Sequence, residues 1–214
     1  MKHITFYLDF ISPYAYLAFE KLPEVLMGQS YSVTYKPILF AALLKHHGQL
    51  GPAEIAPKRD WTYRQVMWLA NAHGVEMQMP ASHPFNPLGL LRLAVACGNG
   101  GEANRYVCET IFRHVWQGAA QASDVPRLAE LTRKLAPSVD AQDPAVNDQI
   151  KAQLKANTDE AIALGLFGVP SFMVDGKVFW GFDALPMLGA YLKGDLWFDG
   201  PWHSVATVAQ GVRR

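Results

Sequence analysis

Between residues 3 and 22 the chain changes its period once. Ile4, Phe6, Leu8 and Phe10 alternate with His3, Thr5, Tyr7 and Asp9 in a run of β-branched, aromatic and aliphatic residues. A two-residue period of this composition predicts a strand, placed centrally in its sheet. Beyond it Tyr14, Leu17, Ala18 and Leu22 recur at three- and four-residue spacings, so the period has become helical. The change falls at Ser12-Pro13. Proline at the first helical position sacrifices no hydrogen bond and serine before it is a preferred N-cap, so the helix is predicted to start there, with Pro23 kinking or shortening it.

Alternation returns at residues 31–36 and stops at Pro37. Strand, helix and strand in this order predict a right-handed parallel βαβ unit. Residues 40–47 fit a short helix, and the two glycines and two prolines of residues 48–57 fit a loop. From 59 to 160 strand signals vanish. Trp61, Arg64, Gln65, Trp68, Leu69 and Ala72 mark one helix ending at His73-Gly74. Asn86-Pro87, residues 102–117, Asp124-Val125-Pro126 and Asp143-Pro144 mark four more. Strand signals resume at 169–181, where two alternating runs flank Asp175-Gly176, a hairpin signature. A closing helix is expected over 183–192, and a tail whose Trp197, Phe198 and Trp202 are too apolar to stay in water, with the last ten residues loosely held. The division expected is 1–40 with 165–200 as one α/β unit, 41–164 as a helical insertion and 201–214 as a tail.

Composition narrows the possible partners. The chain has 214 residues, half of them hydrophobic, enough for a sizeable core without staples. Lys and Arg balance Asp and Glu at 19 each with no charge run, which argues against nucleic acid and anionic membranes and toward small molecules. No stretch reads as a signal peptide or a membrane span, so a cytoplasmic protein is expected. Cys97 and Cys108 read as buried thiols. The seven histidines form no metal-binding spacing, and no metal site is expected.

The order βαβ, helical block, ββα is that of a thioredoxin-like α/β fold with a large all-helical insertion. Where thioredoxin-like proteins carry a Cys-x-x-Cys pair, this chain has Ser12-Pro13-Tyr14-Ala15. Without cysteines there, dithiol exchange is excluded and any thiol must come from a ligand. Ser12 reads either as a bare N-cap or as a hydroxyl beside the free N–H groups at the positive end of a helix.

Four ordered segments carry a resemblance: Phe6 to Leu17 (FYLDFISPYAYL), His83 to Pro87 (HPFNP), Phe167 to Pro170 (FGVP) and Phe179 to Asp183 (FWGFD). In these the chain resembles the 2-hydroxychromene-2-carboxylate isomerases and their relatives, the kappa-class glutathione transferases. The resemblance implies glutathione as cofactor and a homodimer. It also implies that Ser12 contacts the glutathione sulfur, that Val169 pairs its backbone with the tripeptide, and that Pro170 is cis. Trp180, Gly181, Phe182 and Asp183 match the stretch holding the charged end of glutathione, Asp183 being either an ammonium partner or a helix cap. On the substrate side, Lys45 is a pocket cation or a solvated charge, His83 a ligand contact or an ordinary hydrogen-bonded histidine, and Asn86 a ligand or an N-cap. Glu54, two residues beyond Pro52, departs from the family pattern, in which some isomerases have asparagine just after the Gly-Pro of this loop; a carboxylate facing a carboxylate substrate is unfavourable, which implies a different natural substrate.

The reaction implied is glutathione-dependent isomerisation of an aromatic 2-oxo acid in aromatic catabolism. The alternatives are a kappa-like transferase acting on another electrophile, and a non-catalytic thioredoxin-fold binding module. A free thiol, with a pKa of about 8.5, is only about 3% ionised at neutrality. A hydroxyl donor contributes roughly 1.5–3 kcal/mol to a thiolate and a helix end about 0.3–1 kcal/mol. Together these lower the pKa by about one to two units.

Overall fold

The computed structural model describes residues 1–209 and 211. Its centre is β1 (Lys2–Leu8), which runs parallel to β2 (Tyr31–Pro37) on one side and antiparallel to β3 (Ser171–Val174) on the other. The hairpin partner β4 (Lys177–Trp180) completes a four-stranded sheet of order β2-β1-β3-β4. The hairpin turn needs two residues with positive φ, and Asp175 and Gly176 supply them at +48° and +74°. β1 stops two residues before the alternation does, because Asp9 and Phe10 leave the sheet to make a turn.

Helix α1 (Pro13–Val25) starts at the proline, capped by Ser12, and carries Pro23 without stopping. After β2 come α2 (Phe40–His46), a 3-10 turn at Pro52–Glu54, α3 (Ala56–Ala72), α4 (Leu88–Ala96), α5 (Arg105–Trp116), α6 (Val125–Leu135) and α7 (Pro144–Ala163). The chain ends with α8 (Leu185–Leu192), a 3-10 turn at Leu196–Asp199, the short α9 (Pro201–Ser204) and a last 3-10 turn at Val205–Thr207. The looseness expected of residues 205–214 falls partly outside the described residues.

The structure differs from the sequence pattern in several places. Helix α5 begins at Arg105, not 102, because Glu102 and Ala103 bridge to Asn99 and Tyr35, leaving Asn104 to cap the helix through Val107 N. Helix α3 begins at Ala56, because Pro57 is accommodated in its first turn instead of ending the preceding loop. Its tryptophans point outward, with Trp61 63% and Trp68 66% exposed, since α3 rests on the body through Val66 and Ala70. The closing helix is preceded by a 3-10 turn over Phe182–Ala184. Of the two thiols Cys108 is buried, but Cys97, at the end of α4, is only half-buried.

Both faces of β1 are buried. Ile4, Phe6 and Leu8 join α1, α4, α5 and α8 in the main core, while Tyr7 packs with Ile38, Leu43, Ala161, Leu166 and Val169 on the other face. The insertion is fused to α1 and to the turn after β1 by aromatic packing. Phe112 of α5 meets Phe10 at 4.9 Å, Phe19 at 5.2 Å and Tyr16 at 5.9 Å between ring centroids. Trp116, fully buried, lies nearly parallel to Tyr16 and donates its indole N–H to the Phe10 carbonyl at 3.0 Å. At the far edge, Phe179 of β4 packs against Tyr191, Phe198 and Trp202, so the aromatic tail covers the hairpin.

Replacing Trp116 by Phe keeps most of the ring volume but leaves the buried Phe10 carbonyl without its donor. We expect a loss of about 2–4 kcal/mol, read as a lowered urea midpoint with unchanged slope. An unmoved midpoint would show that this bond is replaced, not lost.

Candidate active site

The carboxyl end of β1 delivers Asp9, Phe10, Ile11 and Ser12 as a turn closed by the Ser12 N–H on the Asp9 carbonyl at 3.1 Å. The carbonyls of Asp9, Phe10 and Ile11 all have donors, two of them from distant parts of the chain. Asp9 O receives Ser12 N, Phe10 O receives the Trp116 indole, and Ile11 O receives His83 Nε2 at 2.8 Å. The side chain of Asp9 is fully buried. One of its oxygens accepts Ile11 N–H at 3.1 Å and the other accepts Phe40 N–H, at the start of α2, at 3.0 Å. Burial pushes this carboxyl up to about 7, opposed by the backbone N–H groups of Phe40, Ile11 and Phe10.

Ser12 is 7% exposed. Its Oγ accepts Ala15 N–H at 3.2 Å, the N-cap bond, and its own proton points to the Val169 carbonyl at 3.4 Å. That second contact is long, so a stronger acceptor can displace it. The Tyr14 N–H lies in the first turn of α1, where no intrahelical acceptor exists. A hydroxyl donor, an unpaired N–H and the positive end of a thirteen-residue helix meet here and suit an anion such as a thiolate.

The Val169–Pro170 bond is cis, and Pro170 O accepts Gly181 N–H at 2.9 Å, which ties the loop before β3 to the end of β4. Trp180 is half-exposed and its ring lies 4.7 Å from that of Phe167. A Cβ at Gly168 would collide with the Trp180 indole, which explains the glycine of the Phe-Gly-Val-Pro run. Gly181 takes φ +101°, a conformation only glycine adopts readily, and turns the chain into Phe182 and Asp183. Phe182 is buried against the His73 ring, while Asp183 is exposed and caps no helix. The Tyr14 phenol is raised mainly by burial, with a lesser upward push from the Asp183 charge. Ser12, Val169, Pro170 and the 180–183 segment therefore form one connected group across the carboxyl end of β1.

The four remaining candidates stand differently. His83 is joined to the group through Ile11, and its ring lies 5.7 Å from Trp116. Both its nitrogens have protein partners: Nε2 must donate to the Ile11 carbonyl, and Nδ1 lies 2.8 Å from the Tyr63 hydroxyl. The same hydroxyl is 2.7 Å from the His83 carbonyl. Burial lowers the His83 pKa and the bond to Ile11 partly restores it. The His83–Pro84 bond is also cis. Asn86 accepts Leu88 N–H at 3.0 Å from one residue ahead of the α4 N-cap, which is Pro87 and not Asn86. Glu54 turns its carboxylate back onto Gly51 N–H at 2.5 Å, within its own 3-10 turn. Lys45 is exposed in the last turn of α2.

Two participants give no sign in the spacing. Asp9 occupies a polar slot of the alternating run, which implies an outward side chain, yet it is fully buried; only its place at the first position of a turn preceding an N-cap hints at its role. Tyr63 reaches His83 from α3, and nothing local marks it.

A model of the DSBA-like thioredoxin domain matches residues 3–193. A 2-hydroxychromene-2-carboxylate isomerase of Sphingobium xenophagum is 29% identical over 198 residues, covering 89% of this chain and 98% of its own. Glutathione S-transferase kappa 2 of Caenorhabditis elegans is 27% identical over 219 residues, covering 94% of this chain and 95% of its own. Among solved structures a 2-hydroxychromene-2-carboxylate isomerase superposes with a TM-score of 0.71 at 22% identity, covering 94% of this chain and 98% of that one. With nearly the whole α/β body inside the matched region, the chain belongs to the family of DSBA-like thioredoxin domains.

Proposed function

We propose that the protein is a glutathione-dependent isomerase of an aromatic 2-oxo acid, of the type that converts 2-hydroxychromene-2-carboxylate to its open-chain trans isomer. The observation that carries this is Ser12: a hydroxyl donor at the start of α1, on a loosely held proton, where redox relatives of the fold need a cysteine. Relatives named as 2-hydroxychromene-2-carboxylate isomerases and as kappa glutathione transferases support both the reaction class and the cofactor.

Glutathione, when bound, would supply a thiolate nucleophile for reversible addition to the C=C bond conjugated with the 2-oxo group, the chemistry that frees that bond to rotate. The residues of the chain keep that sulfur ionised and in place. Ser12 moves its hydrogen bond from the Val169 carbonyl to the sulfur, and the first turn of α1 stabilises the negative charge. Ser12 is thus an electrostatic stabiliser, not a nucleophile. The Val169 backbone beside Pro170 would pair with the tripeptide, and the Trp180-Gly181-Phe182-Asp183 turn would hold its charged end, Asp183 being the residue for its ammonium. Lys45 faces the carboxylate of the acid substrate; His83 supports the Ser12 turn through Ile11, and Asn86 and Glu54 hold the loops at the substrate side. The protein acts in the cytoplasm as a homodimer on a small aromatic acid.

A kappa-type transferase is the second reading, because the kappa relatives match as much of the chain as the isomerases do. Incubation with glutathione and each substrate class separates them. With 2-hydroxychromene-2-carboxylate we expect the chromophore to change while free thiol, titrated with a disulfide reagent, stays constant. Thiol consumed stoichiometrically with an activated aryl halide, and no change of the chromene, would make the protein a transferase. No reaction and no heat of glutathione binding would leave a non-catalytic binding module.

Ser12→Ala should lower kcat by about tenfold to a hundredfold, the equivalent of one charged hydrogen bond, while glutathione affinity falls by no more than about threefold. Equal kcat in the variant and the parent would remove Ser12 from the mechanism.

A further inference from the structure

The Asp9 carboxyl is buried where burying a charge is costly, and the mechanism above gives it no contact with any reacting group. A neutral residue would suffice if the site needed only one acceptor. Asp9 instead serves two N–H groups from separate elements: Ile11, one residue before Ser12, and Phe40, the first residue of α2. Neither is otherwise provided for. The N-cap position of α2 is Leu39, which offers no side-chain acceptor, so Asp9 caps that helix from another part of the chain. The bond to Ile11 N–H spans two residues and braces the same turn that the Ser12 N–H closes on the Asp9 carbonyl.

We propose that Asp9 is a positioning residue for the thiol site: its carboxylate joins the Ser12 turn to the start of α2, and through Ile11 it aims the Ser12 hydroxyl at the sulfur. This inference rests on the glutathione reading above. The surroundings of the carboxyl are uncharged. Burial and three backbone N–H groups account for its titration, and no charged side chain among the described residues contributes. The titratable side chain bonded to the same turn is His83, on the Ile11 carbonyl. Asparagine at position 9 can accept from Ile11 or from Phe40 but presents an N–H pair to the other, so one of the two ties is lost.

The test is the thiolate absorbance of bound glutathione against pH in four full-length proteins: the parent, Asp9→Asn, Ser12→Ala and the double variant, each first saturated with glutathione by calorimetry. If Asp9 acts by aiming Ser12, Asp9→Asn raises the apparent thiol pKa by about half a unit or more in the parent background and moves it by less than about 0.2 unit when Ser12 is already Ala. A direct field of the carboxylate on the sulfur would instead lower the pKa in both backgrounds. A general loosening would raise it equally in both. Either result, or no shift at all, overturns the proposal while leaving the glutathione reading intact. A parent protein that binds no glutathione overturns both. Should Asp9→Asn fail to fold, Asp9→Ala, which removes the acceptors for both Ile11 N–H and Phe40 N–H, is run through the same comparison with the same expected outcomes.

Discussion

The turn from Asp9 to Ser12 is the constraint on which the site depends, because a strand must end and a helix must begin within four residues at a fixed place. Ser12 meets the Val169 carbonyl across 157 residues of chain. They meet because β1 lies between β2 and β3, so the start of α1 and the loop into β3 arrive at the same end of the sheet. The turn does not rely on its own sequence for rigidity. Trp116 of the insertion holds the Phe10 carbonyl, and the loop before α4 holds the Ile11 carbonyl through His83. The helical insertion is thus part of what shapes the site, although none of its residues contacts Ser12 through a hydrogen bond among the described residues.

Much of the fold is legible because each signal is local. Ser12-Pro13 marks a helix start, Asp175-Gly176 a hairpin, and the alternation of residues 31–36 a strand; each depends on backbone geometry that one or two side chains decide. What local reading cannot supply is the direction in which a side chain points once distant elements pack. Trp61 and Trp68 mark a helix correctly by spacing but face outward, and Asp9 sits in a polar slot yet is wholly enclosed. Both outcomes are set by neighbours far away in sequence. The start of α5 shifts for a related reason: the Ala103 N–H bonds the Tyr35 carbonyl in an antiparallel bridge, which holds Ala103 outside the helix.

The candidate site shows the same division. The group around Ser12, Val169, Pro170 and the 180–183 turn is drawn together by the sheet. Asn86 and Glu54, for which the family resemblance implies a place on the substrate side, bond the backbone of their own loops. Charge placement follows solvent access. Lys45 and Asp183 stay exposed, whereas the groups bonded to the turn, Asp9 and His83, are withdrawn from water, which shifts the Asp9 carboxyl up and the His83 imidazole down.

The contact between Tyr63 and His83 has a consequence of its own. One phenolic proton stands between two acceptors, the imidazole Nδ1 and the carbonyl of the same residue. With the ring neutral, the phenol gives its proton to Nδ1. Once the ring gains a proton there, the phenol can receive it and swing its own toward the carbonyl. A proton taken up from solvent at His83 Nδ1 is thus accommodated beneath the Ser12 turn by rotation about a single C–O bond, with no heavy atom displaced.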